Sequence, residues 1–301
     1  MMKIALIFPI HNKLEYTKKG LTDIYSCFQP ETPDSIPIDI VITDDGSTDG
    51  SYDWIKTNYP KIHLVKGDGS LWWSGGINKA VGYVLEKLEA EYILLWNNDI
   101  RPENRYFENL FKILADNEPE TIICSKIYIE NKNNFVLSLG GIFNPKTGKY
   151  ALNGYGAKDD LSDNKPVEVD WFPGMGTCIS RKIFTILGLF DEKNFPQYHG
   201  DSDFGLRARK EGFKIIAYPQ LRIWNDRSNT GYSNNASFKT FIRSMFTLKS
   251  NFNISKDIRF YRRHAAGIFA YRFLIKKYFR HIGGYLKWSI LQIFGFRRNT
   301  M

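Results

Sequence analysis

Ile93-Leu94-Leu95-Trp96-Asn97-Asn98-Asp99-Ile100 is the stretch that decides the fold class. Its apolar run reads as a buried strand that stops at a polar edge and closes on a carboxylate. A second acidic cluster, Gly200-Asp201-Ser202-Asp203-Phe204, stands about 100 residues later at the start of a helical pattern. Asp170-Trp171-Phe172-Pro173-Gly174-Met175-Gly176 lies between the two, and Thr43-Asp44-Asp45-Gly46-Ser47-Thr48-Asp49-Gly50 near the beginning. Carboxylates at strand ends, each beside a turn, suit an α/β enzyme that holds a cation and a phosphorylated ligand above its sheet.

Around these landmarks short apolar strands alternate with helices. Strands are expected over Lys3–Phe8, Ile38–Thr43, Ile62–Val65 and Tyr92–Trp96, and helices over Leu14–Cys27, from Tyr52, over Asn78–Leu88 and over Pro102–Ala115. Gln29–Pro37, with three prolines, reads as a loop, Gly67–Gly76 as a glycine-rich loop, and Ser47 or Asp49 as the cap of the helix from Tyr52. Such alternation predicts a mainly parallel sheet. Further on, strands are expected over Thr121–Ile129, Phe135–Phe143, Val167–Trp171, Phe213–Ala217 and Leu221–Trp224, helices over Arg181–Leu187 and Ser202–Glu211, and a loop over Asn144–Asn164. From Ser237 apolar residues recur at helical spacing while acids vanish, which divides the chain into an α/β domain over 1–235 and a basic, aromatic helical tail over 236–301.

The 301 residues carry a formal charge of +9, and it is unevenly placed: residues 251–301 hold 11 Lys/Arg against Asp257 alone, whereas the first 250 hold 30 Lys/Arg against 31 acids. A basic tail implies an anionic partner, be it nucleic acid, a phosphorylated substrate or a membrane surface. Cys27, Cys124 and Cys178 show no metal-site spacing and fit a reducing compartment. The start, Met1 to Pro9, has an apolar run too short for a signal peptide, and no stretch reaches the roughly 20 apolar residues of a membrane span.

Asp99 is a candidate ligand for a divalent cation bridging two phosphates, with an Asx cap on the helix after Pro102 as the plainer reading. Oxygen donors of this kind favour Mg²⁺ or Mn²⁺. Within Asp44–Gly50, capping explains Ser47, Thr48 and Asp49 but not two adjacent acids, either of which suits a nucleotide base or ribose. Lys66–Asn78 brings four glycines beside Trp72 and Trp73, a loop open to close ligand approach, and matches neither the Walker order nor the dinucleotide fingerprint. Asp203 is placed to cap the helix that follows, leaving Asp201 as the candidate general base, although both could simply complement the helix dipole. His199 is a second candidate for that role.

Taken together, Pro9-Ile10-His11-Asn12, Asp44–Gly50, Gly67–Asn78, Asn97–Asp99, Pro173–Gly176 and Asp201–Arg207 resemble, in order and over about residues 1–230, the family 2 inverting glycosyltransferases of the GT-A fold. The likeness is strongest to the rhamnosyltransferase-like branch of bacterial surface-polysaccharide synthesis. The resemblance implies a nucleotide-sugar donor, a glycan or lipid-linked glycan acceptor and Mg²⁺ or Mn²⁺. It implies donor contacts from Pro9, Asp44, Asp45, Asp68, Trp73, Gly75, Asn78, Asn97 and Asn98, and a metal contact from Asp99 supported by Asn97, Asn225 and Asp226. Asp201 is implied as the catalytic base, and Asp170, Trp171, Gly174, Met175, Gly176 and His199 as the acceptor side. Two positions depart from the family pattern: Asn97 replaces an acid of the metal motif, and Gly200 replaces the usual Glu before the base.

The tail interleaves Arg259, Arg262, Arg263, Arg272, Lys276, Lys277, Arg280 and Lys287 with aromatic and aliphatic residues, a pattern suited to an anionic bilayer surface or to a homodimer contact. The expected location is cytoplasmic, peripheral at the inner face of the cell membrane, with no nucleic-acid partner. A nucleotidyltransferase acting on sugar phosphates would share the early strand-turn pattern. A non-catalytic polyanion binder would use the tail but gives the clustered acids no role.

Overall fold

The computed structural model describes residues 2–27, 38–132, 134–159, 161–162, 165–226 and 237–293. The expected proline loop over Gln29–Pro37 and the expected boundary at residues 235/236 lie outside them. The first half runs Ile4–Ile10 (β1), Leu14–Cys27 (α1), Ile38–Asp44 (β2), Ser51–Asn58 (α2), His63–Lys66 (β3), Trp72–Lys87 (α3), Tyr92–Leu95 (β4), Ile100–Pro102 (β5) and Tyr106–Ala115 (α4). Thr121–Ile129 (β6), Val136–Leu139 (β7), Gly141–Phe143 (β8), Tyr150–Leu152 (β9), Val167–Glu168 (β10), Thr177–Ser180 (β11), Arg181–Leu187 (α5), Gly200–Lys210 (α6) and Lys214–Asn225 (β12) follow. The chain ends in Phe238–Ser244 (α7), Ile254–His264 (α8) and, after a single 3₁₀ turn, Tyr271–Ile293 (α9).

Among the described residues the main sheet has the order β10-β12-β6-β11-β4-β1-β2-β3, with β5 on β12 and β7 on β6. β3, β2, β1 and β4 are mutually parallel. β11 is antiparallel to both its neighbours, and β12 returns parallel to β6. Alternate residues of β1 feed opposite cores: Ile4, Leu6 and Phe8 meet α1, α2 and α4, while Ala5 and Ile7 meet α3, α5 and α6. Burial on both faces explains the unbroken apolar strands. The strand order reverses between β1 and β4, which opens the crevice that parallel α/β sheets use for ligands at the carboxyl ends of these strands.

Several elements differ from the expectation for identifiable reasons. α3 begins at Trp72, so Gly75 and Gly76 are helical and belong to no loop. A Cβ on Gly76 would lie 2.5 Å from the Pro9 Cβ, so the glycine lets α3 close against β1. Pro102 ends β5 and does not open a helix; α4 starts at Tyr106. β11, four residues with polar ends, escapes a periodicity reading yet fills the centre of the sheet. The two strands expected over Phe213–Trp224 are one, β12, whose register shifts between Tyr218 and Arg222, where Pro219 lacks a ladder donor. Asn144–Asn164 includes β9, and Phe135–Phe143 breaks into β7 and β8. Val167–Trp171 forms a regular strand only over β10.

Contacts group the chain into two units, residues 1–142 with 151–228, and 143–150 with 229–301. The tip of the β8–β9 ribbon thus belongs with the C-terminal helices. There Phe143 meets Phe260 edge-on at 5.4 Å, and the Tyr261 hydroxyl donates to the Gly148 carbonyl at 2.7 Å.

In the first unit, Arg181 closes the C-terminus of α3: its guanidinium donates to the carbonyls of Leu88 at 3.0 Å, Val84 at 3.3 Å and Ala90 at 3.4 Å, and also to Leu85. Arg181→Ala should therefore cost about 1.5–3 kcal/mol in urea denaturation, with Arg181→Lys recovering part of it. An unchanged midpoint would refute this closure.

Candidate functional site

The turns after β1, β2 and β3 are sewn together by short polar side chains. Asn12, at φ 57°, donates its backbone N–H to the Ser47 Oγ at 2.8 Å, and its Oδ1 accepts from the Thr48 amide at 2.8 Å. The His11 Nδ1–H donates to the Asp45 carbonyl at 2.6 Å. Asp49 accepts from the Leu14 amide at 2.8 Å and the Ser51 hydroxyl at 2.6 Å, and so serves the starts of both α1 and α2. Ser47, expected as a cap of α2, instead anchors the β1 turn.

Asp44 and Asp45 are both buried. Asp44 accepts from the Ser47 amide at 2.8 Å. Asp45 accepts from the Gly69 amide at 2.8 Å on one oxygen, and from Leu71 at 3.0 Å and Trp72 at 3.2 Å on the other. Its carboxylate is thereby committed to holding the third turn. This includes Trp72, whose φ of 58° is strained for a bulky side chain by about 1 kcal/mol or more. Asp68 is the exposed acid of that turn, and hydrogen bonds from Ser70 hold its carboxyl below the usual range.

A second connected group lies beyond β4. The Trp73 indole N–H donates to the Asn97 Oδ1 at 3.1 Å. The far edge of the same ring sits on Gly174, where a Cβ would come within 2.2 Å of it. The Gly174 amide donates to the Asp201 Oδ2 at 3.1 Å, and the Ser202 amide to Oδ1 at 2.8 Å. Asn97, Trp73, Gly174 and Asp201 thus form one chain of contacts at the carboxyl edge. Burial raises the Asp201 pKa, opposed by the Ser202 and Gly174 amides and by His199. Asp203 does not cap α6; it is fully buried and pairs with Arg207 at 3.0 Å, one turn on. The departure at Gly200 also has a cause: a Cβ there would fall 2.3 Å from the Ser74 Oγ, which donates to the Phe195 carbonyl at 2.6 Å.

Asp99 continues into β5 and not into a helix, which removes the capping reading. Its carbonyl accepts from the Asp226 amide at 3.0 Å across the β5–β12 pair, which brings Asp99, Asn225 and Asp226 together. Asp99 Oδ1 and Asn225 Nδ2 are buried without a well-formed hydrogen bond, although the Asn225 amide stands near enough to favour the Asp99 carboxylate. Burial pushes the Asp99 pKa up to about 6, with the Asp226 carboxylate adding to the rise and Lys13 opposing it. Among the described residues no three His, Cys, Asp or Glu side chains gather at one point. Two carboxylates with an orphaned buried oxygen nonetheless fit a hard cation that takes its remaining ligands from a diphosphate. Lys13, at φ 62° beside this pair, is a charge that the motif reading missed; its only signal was its place directly after His11-Asn12.

Other expected residues are placed in supporting roles. Asn78 is bonded in both directions to Phe190, donating at 2.9 Å and accepting at 2.9 Å, and also donates to Glu192 at 2.7 Å. Asn98 turns back to α1, donating to the Thr17 Oγ1 at 3.1 Å. Gly75 packs on Leu71, and Pro9 on Gly76. Gly176, at φ 63°, donates to the Leu95 carbonyl at 2.8 Å and anchors β11, with Met175 half-buried beside it. Trp171 is buried between Gly141 and Gly205, and Asp170 pairs with Arg209. That pairing engages Asp170 with a residue eight positions along α6 from Asp201. His199, in the left-handed region at φ 67°, precedes α6 with its ring near Phe195.

The glycosyl transferase family 2 model matches residues 5–176. A dTDP-rhamnosyl transferase of Shigella flexneri, RfbF, is 26% identical over 168 residues, 54% of this chain and 51% of its own. Agl10 of Haloferax volcanii, described as a low-salt glycan biosynthesis hexosyltransferase, is 25% identical over 180 residues, 59% of this chain and 55% of its own. The chain therefore spans about half the length of the curated relatives it matches. A crystal structure of GalNAc-T7 with UDP, GalNAc and Mn²⁺ superposes with a TM-score of 0.56 at 13% identity, covering 90% of this chain and 56% of that one. The α/β architecture is that of the GT-A glycosyltransferases.

Because the folded Asp99 binds its proton more tightly than the unfolded chain does, stability without divalent cations should fall as pH rises from about 4 through about 6. Asp99→Asn should remove about 1–2 kcal/mol of that fall. It should also abolish any rise in melting temperature on adding Mn²⁺, which binds the ionised form. Melting curves in chelator and in Mn²⁺ across this range test both, and a variant that tracks the wild type in each would refute the assignment.

Proposed function

The chain belongs to glycosyl transferase family 2, and on that premise we propose that it transfers a sugar from a nucleotide-sugar to a hydroxyl of a saccharide acceptor, free or lipid-linked, with inversion at the anomeric carbon. The observation that carries this reading is Asp201, a carboxylate fixed at the carboxyl edge of the sheet by the Gly174 and Ser202 amides and raised in pKa by burial. A fixed carboxylate with a raised pKa is suited to proton uptake. Asp201 takes the acceptor hydroxyl proton as that oxygen bonds to the anomeric carbon. The bond from this carbon to the donor phosphate oxygen breaks, and its electron pair leaves with the nucleoside diphosphate. Direct displacement from the opposite face inverts the configuration.

Asp99 and Asp226, with Asn225 beside them, are the residues that would hold Mg²⁺ or Mn²⁺. When bound, such a cation neutralises the charge that grows on the departing diphosphate. Lys13 adds positive charge at the same place. Trp73, tied to Asn97 and seated on Gly174, keeps the donor-side turn in register with the base. Asp68, exposed on its turn, is the acid best placed to meet the nucleoside, while the buried Asp44 and Asp45 hold the Ser47 amide and three amides of that turn. The Shigella relative favours rhamnose carried on dTDP and the Haloferax relative a hexose, so both sugars belong in the test.

The purified chain, incubated with dTDP-, UDP- and GDP-sugars with and without Mg²⁺ or Mn²⁺, should release nucleoside diphosphate from one of them. Asp201→Asn should lower that release by about 10²–10⁴-fold while donor binding by calorimetry is unchanged. The acidic limb of the kcat/KM profile should lie above the usual aspartate range, since Asp201 must be ionised to act. Wild-type turnover in Asp201→Asn would sink the reading.

A further inference from the structure

The longest helix, α9, has one face held and another bare. On the held face Leu274 is buried, Lys277 and Tyr278 reach Asp257 at 2.6 and 2.7 Å, His281 stacks on Phe252 at 3.7 Å and Tyr285 on Phe241 at 4.2 Å. These contacts fix the rotation of α9 against α7 and α8. The bare side then presents Ile275, Phe279, Ile282, Leu286 and Ile290, which are 39–72% exposed. Their spacing of three and four residues aligns them in one stripe. Ile268 and Phe269, 80% and 72% exposed, stand just ahead of the helix.

Beside the stripe, at the next angular position around the helix, run Arg272, Lys276, Arg280 and Lys287, all exposed. No acidic residue occurs in Tyr271–Ile293. Single exposed apolar residues are ordinary, but a stripe of five with a cationic border is a surface shaped for a partner. We propose that this face of α9 docks on an anionic lipid bilayer, with the apolar stripe in the headgroup and upper acyl region and the basic row on the phosphates.

Charge decides between occupants. A second copy of this face would bring cations against cations, because residues 251–301 offer 11 Lys/Arg and only Asp257, which is already buried against Lys277 and Tyr278. An anionic lipid surface complements both halves of the face at once. The orientation is in-plane: among the described residues no helix is long and apolar enough to cross a membrane.

The test is flotation of the full chain with vesicles of phosphatidylcholine alone and of phosphatidylcholine mixed with phosphatidylglycerol. Binding should appear with the anionic mixture and weaken with salt. Phe279→Ser with Leu286→Ser should lower it by roughly 10- to 100-fold. Lys276→Ser with Arg280→Ser and Lys287→Ser should lower it by on the order of 100-fold. All these side chains are exposed, so melting curves should be unchanged, which separates lost docking from lost folding. No binding to anionic vesicles, or binding that survives the Phe279/Leu286 pair, overturns the proposal. So does light scattering that shows a dimer which this pair dissociates. No sugar donor enters the assay, so its failure leaves the transferase reading untouched.

Discussion

The carboxyl edge of the sheet depends on one buried carboxylate. Asp45 ends the second strand turn with little access to water, and its two oxygens accept three backbone amides from the turn that follows β3. Charge-assisted bonds to backbone amides are among the stronger ones a protein makes, and removing their acceptor would release all three amides of that turn at once. They hold Trp72 in a backbone conformation that it would not choose, and so set where α3 begins. Everything that Trp73 reaches, from Asn97 to Gly174, inherits its position from that bond set.

From there the construction proceeds by close approach. Gly76 lets α3 lie on Pro9, Gly174 lets the indole of Trp73 lie on the backbone that grips Asp201, and Gly200 makes room for Ser74. Asp45 and Asp201 therefore sit in one relay of contacts running from β2 through α3 to α6, although they are more than 150 residues apart in sequence. The Asp99–Asp226 pair joins the same edge by another route, through the β5–β12 ladder. It comes from the two strands whose extent was hardest to read.

Much of this was legible in advance. β1, β2, β4, α1, β6 and α5 fall within a few residues of where apolar runs and helical spacing put them, because strands buried on both faces leave an unbroken signal. β11 did not, because four residues with polar ends carry no period and its place depends on pairing with strands distant in sequence. The glycines beside Trp73 read as a loop because composition cannot tell a glycine needed for flexibility from one needed for packing. Asn78 and Asn98 sit in the right motifs, yet their amides are occupied by Phe190 and Thr17, partners that only the folded chain supplies. The juxtaposition of Asp99 with Asn225 and Asp226 was anticipated from family likeness; spacing alone had no means of showing it.

The contact between Gly200 and Ser74 couples two places far apart in sequence. A Cβ at 200 would fall 2.3 Å from the Ser74 Oγ, the hydroxyl that donates to the Phe195 carbonyl, and 3.2 Å from that same carbonyl oxygen. Any residue larger than glycine at 200 therefore calls for a turned hydroxyl or a smaller residue at 74. The two positions act as one steric unit, and a substitution at either is felt at the other.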